Sequence, residues 1–279
     1  MGMSAEAIAE KRGITRQERC PVRPSRRKPP MMATYDLLAP HYDAVTGDCA
    51  TEAAFVRGLI EQRHHRAATL LDVACGTGGM AALLARAYQV SGLDISPGML
   101  AIARGKLPAG TSLYLADMTC FRLDTRFDAV VCAYQGVNHL LSFAAWERFF
   151  DRVAEHLNGN GVFVFDITTV GQLMATARAP RMTQQFGDNY LLIRVRAAGG
   201  TVFEWQIEVF ELQPDGRYRL LEQTVRLRSF PLTRIRDALA SRFADVEIMG
   251  DGDGLAGADS DARIWFACTK PDANLSPGR

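Results

Sequence analysis

Three aspartates stand where a sequence of this kind does chemistry. Asp72 immediately precedes a glycine-rich turn, ACGTGG at residues 74–79, while Asp94 ends QVSGLD and Asp117 ends SLYLAD. Each follows an apolar run of strand length, so the three carboxylates are expected along one edge of a parallel sheet, where such sheets take their ligands. A glycine turn between an apolar strand and an Ala/Leu-rich helix lets the backbone approach a nucleotide closely. Read from Gly76, GTGGMA fits the dinucleotide fingerprint G-x-G-x-x-G/A, with Asp94 about where that pattern wants its ribose-binding acid. Two ligands of different charge therefore compete for the turn.

Asp72 separates them. A dinucleotide would set a doubly charged pyrophosphate beside its carboxylate, which repels it. S-adenosylmethionine brings an ammonium and a sulfonium, which the carboxylate favours. Asp94 can accept from both ribose hydroxyls, Asp117 from the adenine amino group, and Ile95, Met99 and Met118 stand beside these acids to pack on the adenine. Ala74, Gly76 and Gly78 supply the cradle, and Tyr134 at the end of the fourth strand completes the expected cofactor contacts.

The elements that must position these residues alternate. Helical segments at 35–48 and 52–66, the second with Phe55, Leu59 and Ile60 near one face, precede the first strand, TLLDVA. Strands follow at QVSGLD, SLYLAD, FDAVVCAY and VFVFDIT, separated by helices at GGMAALLARAY, SPGMLAIARGKL (Ser96 as N-cap, Pro97 first) and SFAAWERFFDRVAEHL. From Phe186 to Arg228 the pattern becomes strict alternation in three runs, with Gly199-Gly200 and Pro214-Asp215-Gly216 as hairpin turns. On the wet face of that meander, Glu204 and Glu208 can pair with Arg226 and Arg228. A last helix, PLTRIRDALASRF, and the strands DVEIMG and ARIWFACTK complete the chain, with an acidic Gly-rich loop between those strands. The fold class is α/β: a doubly wound, seven-stranded Rossmann-like sheet with an antiparallel β insertion after strand five. The expected organisation is a disordered basic extension at 1–33, a Rossmann-like domain at 34–168 and 230–271, an auxiliary insertion at 169–229, and a tail at 272–279.

Composition excludes several classes. At 279 residues, with 48% hydrophobic and 23% charged content, the chain suits one embellished α/β domain, and its apolar runs are too short to span a bilayer. Net charge is +1, yet residues 1–33 hold eight Lys/Arg against three Glu, so the rest, with 24 against 28, is mildly acidic and poorly suited to nucleic acid. The six cysteines show no C-x-x-C pair and no histidine partner at metal spacing, which reads as reduced core thiols, no metal and a cytoplasmic location. His41 is expected to face solvent, and His64, His65 and His156 to sit at charged helix ends.

The segment from about Tyr35 to Thr168 resembles the class I S-adenosylmethionine-dependent methyltransferases. LDVACGTGG matches their first motif, GLDIS their ribose-binding motif and LADM their adenine-binding segment; the fold so implied also ends in a strand hairpin. AYQG, after strand four, departs from the Asn/Asp-Pro-Pro-Tyr of enzymes that methylate nucleobase amines. The antiparallel insertion is similar to the auxiliary sheet of small-molecule methyltransferases. NHL places His139 where amino-sugar N,N-dimethyltransferases carry a His-Leu pair, and Tyr35 and Tyr42 resemble the tyrosines of their first helix.

The expected activity is transfer of a methyl group to an N or O atom of a small molecule, a secondary-metabolite or amino-sugar intermediate. His139 is the candidate base, because imidazole titrates near neutrality, and Tyr42 is its catalytic companion. Tyr35, Tyr42, Gln135, His139 and Trp205 are expected to line the acceptor. A loop histidine bonded to a carbonyl, and tyrosines and a tryptophan that merely pack, are the open alternatives, as is pairing into a homodimer. A nucleotide-dependent oxidoreductase fails on Asp72 and on the lack of a Tyr-x-x-x-Lys pair. A non-catalytic S-adenosylmethionine-binding protein would show an unlined acceptor pocket.

Overall fold

Seven strands of the computed structural model, which describes residues 15–16, 35–250 and 262–271, form one mixed sheet. They are β1 (Thr69–Val73), β2 (Gln89–Asp94), β3 (Leu113–Leu115), β4 (Phe127–Cys132), β5 (Leu157–Thr168), β10 (Asp245–Gly250) and β11 (Arg263–Thr269). Their spatial order is β3-β2-β1-β4-β5-β11-β10, with β11 alone running antiparallel to the rest, between β5 and β10. At the β3 edge Thr15–Arg16 pairs in parallel with Tyr114 and Leu115. The rest of the extension expected to be disordered, the 272–279 tail and the acidic loop lie outside the described residues. The order reverses between β1 and β4, so the carboxyl ends of β1, β2 and β4 open a crevice, the usual ligand position in such sheets.

Continuous apolar strands demand cover on both faces, and they receive it. Leu70, Leu71, Val130, Val131, Phe163 and Phe165 are fully buried. On one side α5 (Phe143–His156), capped by Ser142, sets Trp146, Phe149, Phe150 and Val153 against Phe163 and Phe165. On the other lie α2 (Ala50–Arg63), α3 (Gly79–Leu84) and α4 (Pro97–Lys106), the last capped by Ser96 as expected.

The insertion is α6 (Val170–Arg178) followed by β6 (Met182–Phe186), β7 (Asn189–Ala197), β8 (Val202–Leu212) and β9 (Tyr218–Arg228), a separate antiparallel sheet in the order β9-β8-β7-β6. Both expected hairpin turns are present. The sheet's inner face carries Leu191, Val195, Phe203, Val209, Val225 and Leu227 onto Leu38 and Leu173, and such burial contributes about 1.5–3 kcal/mol per side chain.

Several local expectations need correction. MTQQF is four-fifths exposed and lacks alternation, so β6 was invisible to pattern reading, as was α6 before it. β5 begins at Leu157 rather than Val162: Asn158–Gly161 is absorbed as an irregularity against Phe127 and Ala129, with Asn160 in left-handed backbone. α3 is a single short helix, since the chain turns after Leu84. Before α2 the chain makes a 3-10 turn, Ala39–His41, and one helical stretch, α1 (Tyr42–Thr46). Phe55 is 40% exposed and only edges Trp265; Ala53 and Val56 join Leu59 and Ile60 on the buried face. Glu204 pairs with Arg226 at 3.1 Å, but Glu208 faces Arg181 at 3.8 Å, while Arg228 turns to the Leu141 carbonyl and Thr201. His156 is buried, its Nε2 accepting from the Leu123 N–H, and burial lowers its pKa.

Candidate functional site

β1 delivers Asp72 into the sheet, 2% exposed, with Oδ2 buried and without a hydrogen-bond partner. Burial first, then the neighbouring Asp94, push its carboxyl up to about 8. An orphaned buried carboxylate at the wall of a cavity asks for a cation. That cavity is also lined by Tyr42, Cys49, Ala74, Gly76, Thr77 and Tyr134. Gly78 is left-handed at φ +78°, and a Cβ there would meet the Ala103 Cβ at 3.0 Å, so the loop closes on α4 only with glycine. Ala74, also left-handed at φ +58°, stores strain beside the site.

Asp94 is buried at the tip of β2 with both oxygens engaged: Oδ2 accepts from the Gly76 N–H and Oδ1 from the Ser96 N–H, each at 2.8 Å. It braces the glycine loop, and each oxygen keeps a lone pair for a diol. Asp117 lies two residues beyond β3, where Oδ1 accepts from the Thr119 N–H and hydroxyl, leaving Oδ2. Met99 is buried on α4, Ile95 and Met118 are partly buried, and none of Asp94, Ile95, Met99, Asp117 and Met118 lines the cavity that holds Asp72. The expected cofactor residues thus form two groups, one around the Asp72 cavity and one running from Asp94 to Met118 outside it. The residues present fit S-adenosylmethionine.

Over this floor lies the segment 35–48, fastened by residues the sequence reading passed over. Asp36 accepts from the Ser96 hydroxyl and, at 3.0 Å, from the Gly98 N–H; Asp43 accepts from the Thr77 hydroxyl and pairs with Lys106. The repeated Tyr-Asp at 35–36 and 42–43 was the available signal. His41, expected in solvent, is instead largely covered, 3.1 Å from Glu211 of β8, and ties the segment to the auxiliary sheet.

Beneath that sheet is a second cavity of about 190 Å³, lined by Tyr35, Tyr42, Tyr134, Gln135, His139 and Trp205 together with aliphatic side chains of β7, β8 and β9. All five residues expected at the acceptor therefore meet in one place. Tyr42, Thr46 and Tyr134 line both cavities, so the two adjoin. The Tyr35 hydroxyl lies 3.2 Å from His139 Nε2 with the rings edge to face. Desolvation lowers His139 to about 4 and raises Tyr42 to about 12 and Tyr35 further, so the imidazole is neutral and both phenols protonated near pH 7. The side chain before His139 fixes its 3-10 turn: Asn138, fully buried, donates to the carbonyls of Thr168 and Arg228 at 3.1 and 2.9 Å and accepts from the Thr168 N–H. Among the described residues no group of three His, Cys, Asp or Glu could hold a metal, and no helix is long and apolar enough to cross a membrane.

Residues 70–161 match a family model described as a methyltransferase domain. The chain is 31% identical over 239 residues to a dTDP-3-amino-3,6-dideoxy-alpha-D-glucopyranose N,N-dimethyltransferase of Streptomyces fradiae, covering 82% of this chain and 92% of the relative. A solved sugar N-methyltransferase from Streptoalloteichus superposes with TM-score 0.72 at 28% identity, over 89% of this chain and 97% of its own. An S-adenosylmethionine-bound amino pentose methyltransferase from Micromonospora echinaspora gives 0.70 at 26%, over 83% and 95%. The cofactor is thus S-adenosylmethionine, and the chain belongs to the class I S-adenosylmethionine-dependent methyltransferases of the amino-sugar type.

Proposed function

We propose that the chain methylates the amine of a nucleotide-linked deoxy amino sugar, with the sugar in the larger cavity. The observation that carries this reading is that this cavity adjoins the Asp72 cavity yet has no carboxylate among its lining residues. An apolar wall without an acid disfavours an ammonium, so the amine is bound neutral with its lone pair free. Similarity to the Streptomyces fradiae amino-sugar enzyme supports the same substrate class.

Bound S-adenosylmethionine supplies the electrophilic methyl, on a sulfonium. The residues of this chain do the rest. Asp72 is placed to pair with the cofactor's ammonium, Asp94 with the ribose hydroxyls and Asp117 with the adenine amine. Tyr42 and Tyr134 separate the two cavities, and the Tyr35–His139 pair turns the amine toward the methyl carbon, where holding it about 3 Å away supplies most of the rate. Since His139 is held neutral far below neutrality, it orients the amine as a hydrogen-bond partner rather than removing a proton from an ammonium. Trp205 and Gln135 border the sugar.

The test is mass analysis after incubation with S-adenosylmethionine and, separately, a dTDP-linked 3-amino-3,6-dideoxyhexose, its 3-hydroxy counterpart and a free adenine nucleoside. One or two methyl increments on the amine alone are expected. Methylation of the hydroxyl compound or the nucleoside in its place would sink the reading.

A further inference from the structure

Tyr134 and Gln135 are consecutive non-glycine residues in left-handed backbone, each with φ +58°. Such a residue is strained and persists only where its surroundings over-determine it. The turn they make after β4 is the wall between the two cavities, since Tyr134 lines both and Gln135 the larger.

What grips the turn is Asp166 on β5, fully buried. Its Oδ1 accepts from the Gln135 backbone N–H at 3.2 Å; its Oδ2 accepts from Gln135 Nε2 at 3.2 Å and from Arg263 Nε at 2.7 Å. Arg263, on β11, lays its guanidinium 5.2 Å from the centre of the Tyr134 ring and 4.5 Å from that of Trp265, and reaches Glu52 of α2 at 3.4 Å. One ion pair thus holds the peptide of Gln135 from one side and the ring of Tyr134 from the other. Neither charged residue lines either cavity, so their influence on the reaction passes through the turn.

We propose that Asp166 and Arg263 are a positioning pair that forces the Tyr134–Gln135 turn into its strained form, and so fixes the wall between the cavities and the His139 ring four residues on. Taking two charges out of water is costly unless every hydrogen-bonding group is met. Here the carboxylate meets three donors, two of them from the residue it constrains. A pair serving stability alone could be weakened without altering the wall; a positioning pair could not.

The proposal rests on reading the larger cavity as the acceptor site, and its test needs no acceptor. The His139 ring resonances are followed by NMR against pH in the wild type, in Asp166→Asn and in Asp166→Asn with Gln135→Gly. Asparagine is isosteric but has one acceptor oxygen, so it cannot accept from the Gln135 backbone N–H on one side and from Gln135 Nε2 and Arg263 Nε on the other. A released turn admits water to the ring, so Asp166→Asn is expected to raise the His139 titration from about 4 by roughly one pH unit or more. Glycine adopts left-handed backbone without strain, so in the Gln135→Gly background the same substitution should shift the ring by less than about a third as much. Should Asp166→Asn not fold, Arg263→Lys, which keeps the charge but loses the planar overlay, is read the same way. An unshifted His139 in a folded variant, or an equal shift in both backgrounds, overturns the pair's positioning role. Failure of the wild type to methylate any amine would instead count against the proposed substrate and leave the NMR result standing.

Discussion

The two cavities of this protein are built by opposite means. The smaller cavity is built at the tips of parallel strands, from the glycine loop, which Asp94 braces, and from Asp72, whose Oδ2 has no hydrogen-bond partner. The larger cavity, the proposed acceptor site, is built from the inner face of an antiparallel sheet and a fastened segment, from aliphatic and aromatic side chains with no acid among them. On the proposed function, charge selects on the first side, and shape and desolvation select on the second. A sulfonium cofactor and a neutral amine can then lie side by side without competing for the same carboxylate.

The sharpest way to break this contrast is Asp94→Ala. It removes two charge-assisted bonds that brace the loop as well as the expected ribose contact, and S-adenosylhomocysteine affinity by calorimetry should fall roughly 100- to 1,000-fold. A change within threefold would show that the loop does not depend on it.

Next comes the pH dependence set by Asp72. In the free protein its carboxyl is protonated below about 8, while a bound ammonium needs it ionised. S-adenosylmethionine affinity should therefore rise with pH, by up to about tenfold per unit, until about pH 8, then level off, and Asp72→Asn should be weaker and flat. In the ligand-free protein the sign for stability is the reverse. A carboxyl raised from 3.8 to about 8 stabilises the fold below its unfolded value and loses that contribution as pH rises through 8, so thermal unfolding should shift downward over that window and recover with cofactor.

On the acceptor side, His139→Ala should lower kcat at least about tenfold while leaving S-adenosylhomocysteine affinity within threefold. Equal losses in both would merge the two sides into one. The smallest effect belongs to the outer face of the auxiliary sheet: Glu204→Gln, which breaks an exposed pair with Arg226, should cost under about 1 kcal/mol by denaturant unfolding and leave turnover alone. A larger loss would mean that face is not simply wet.

Legibility in the sequence followed the same division. LDVACGTGG, GLDIS and LADM are contiguous, because a strand tip and the turn after it are made by neighbouring residues; the fold class and the cofactor could be read from them. Alternation announced β7 to β9, since a half-buried strand repeats every second residue, whereas β6 is exposed on nearly every residue and left no pattern. His139, Tyr35, Tyr42, Gln135 and Trp205 were named before the structure brought them together, the first three through resemblance rather than spacing.

Other features had no sequence trace. Asp166 sits in VFVFDIT, where one acid in an apolar strand says nothing of the turn it grips. His41 and His156 looked like surface residues because their partners, Glu211 and the Leu123 amide, are supplied from distant segments. Composition and local pattern determined most of the elements, β6 and α6 apart, and the ligand charge expected at the glycine turn, since both depend on residues adjacent in the chain. Tertiary structure alone decided that Tyr35 meets His139 across 104 positions, that one sheet roofs the other's crevice, and that two strained residues are held by an ion pair, because each depends on desolvation and contact between segments that the chain keeps far apart.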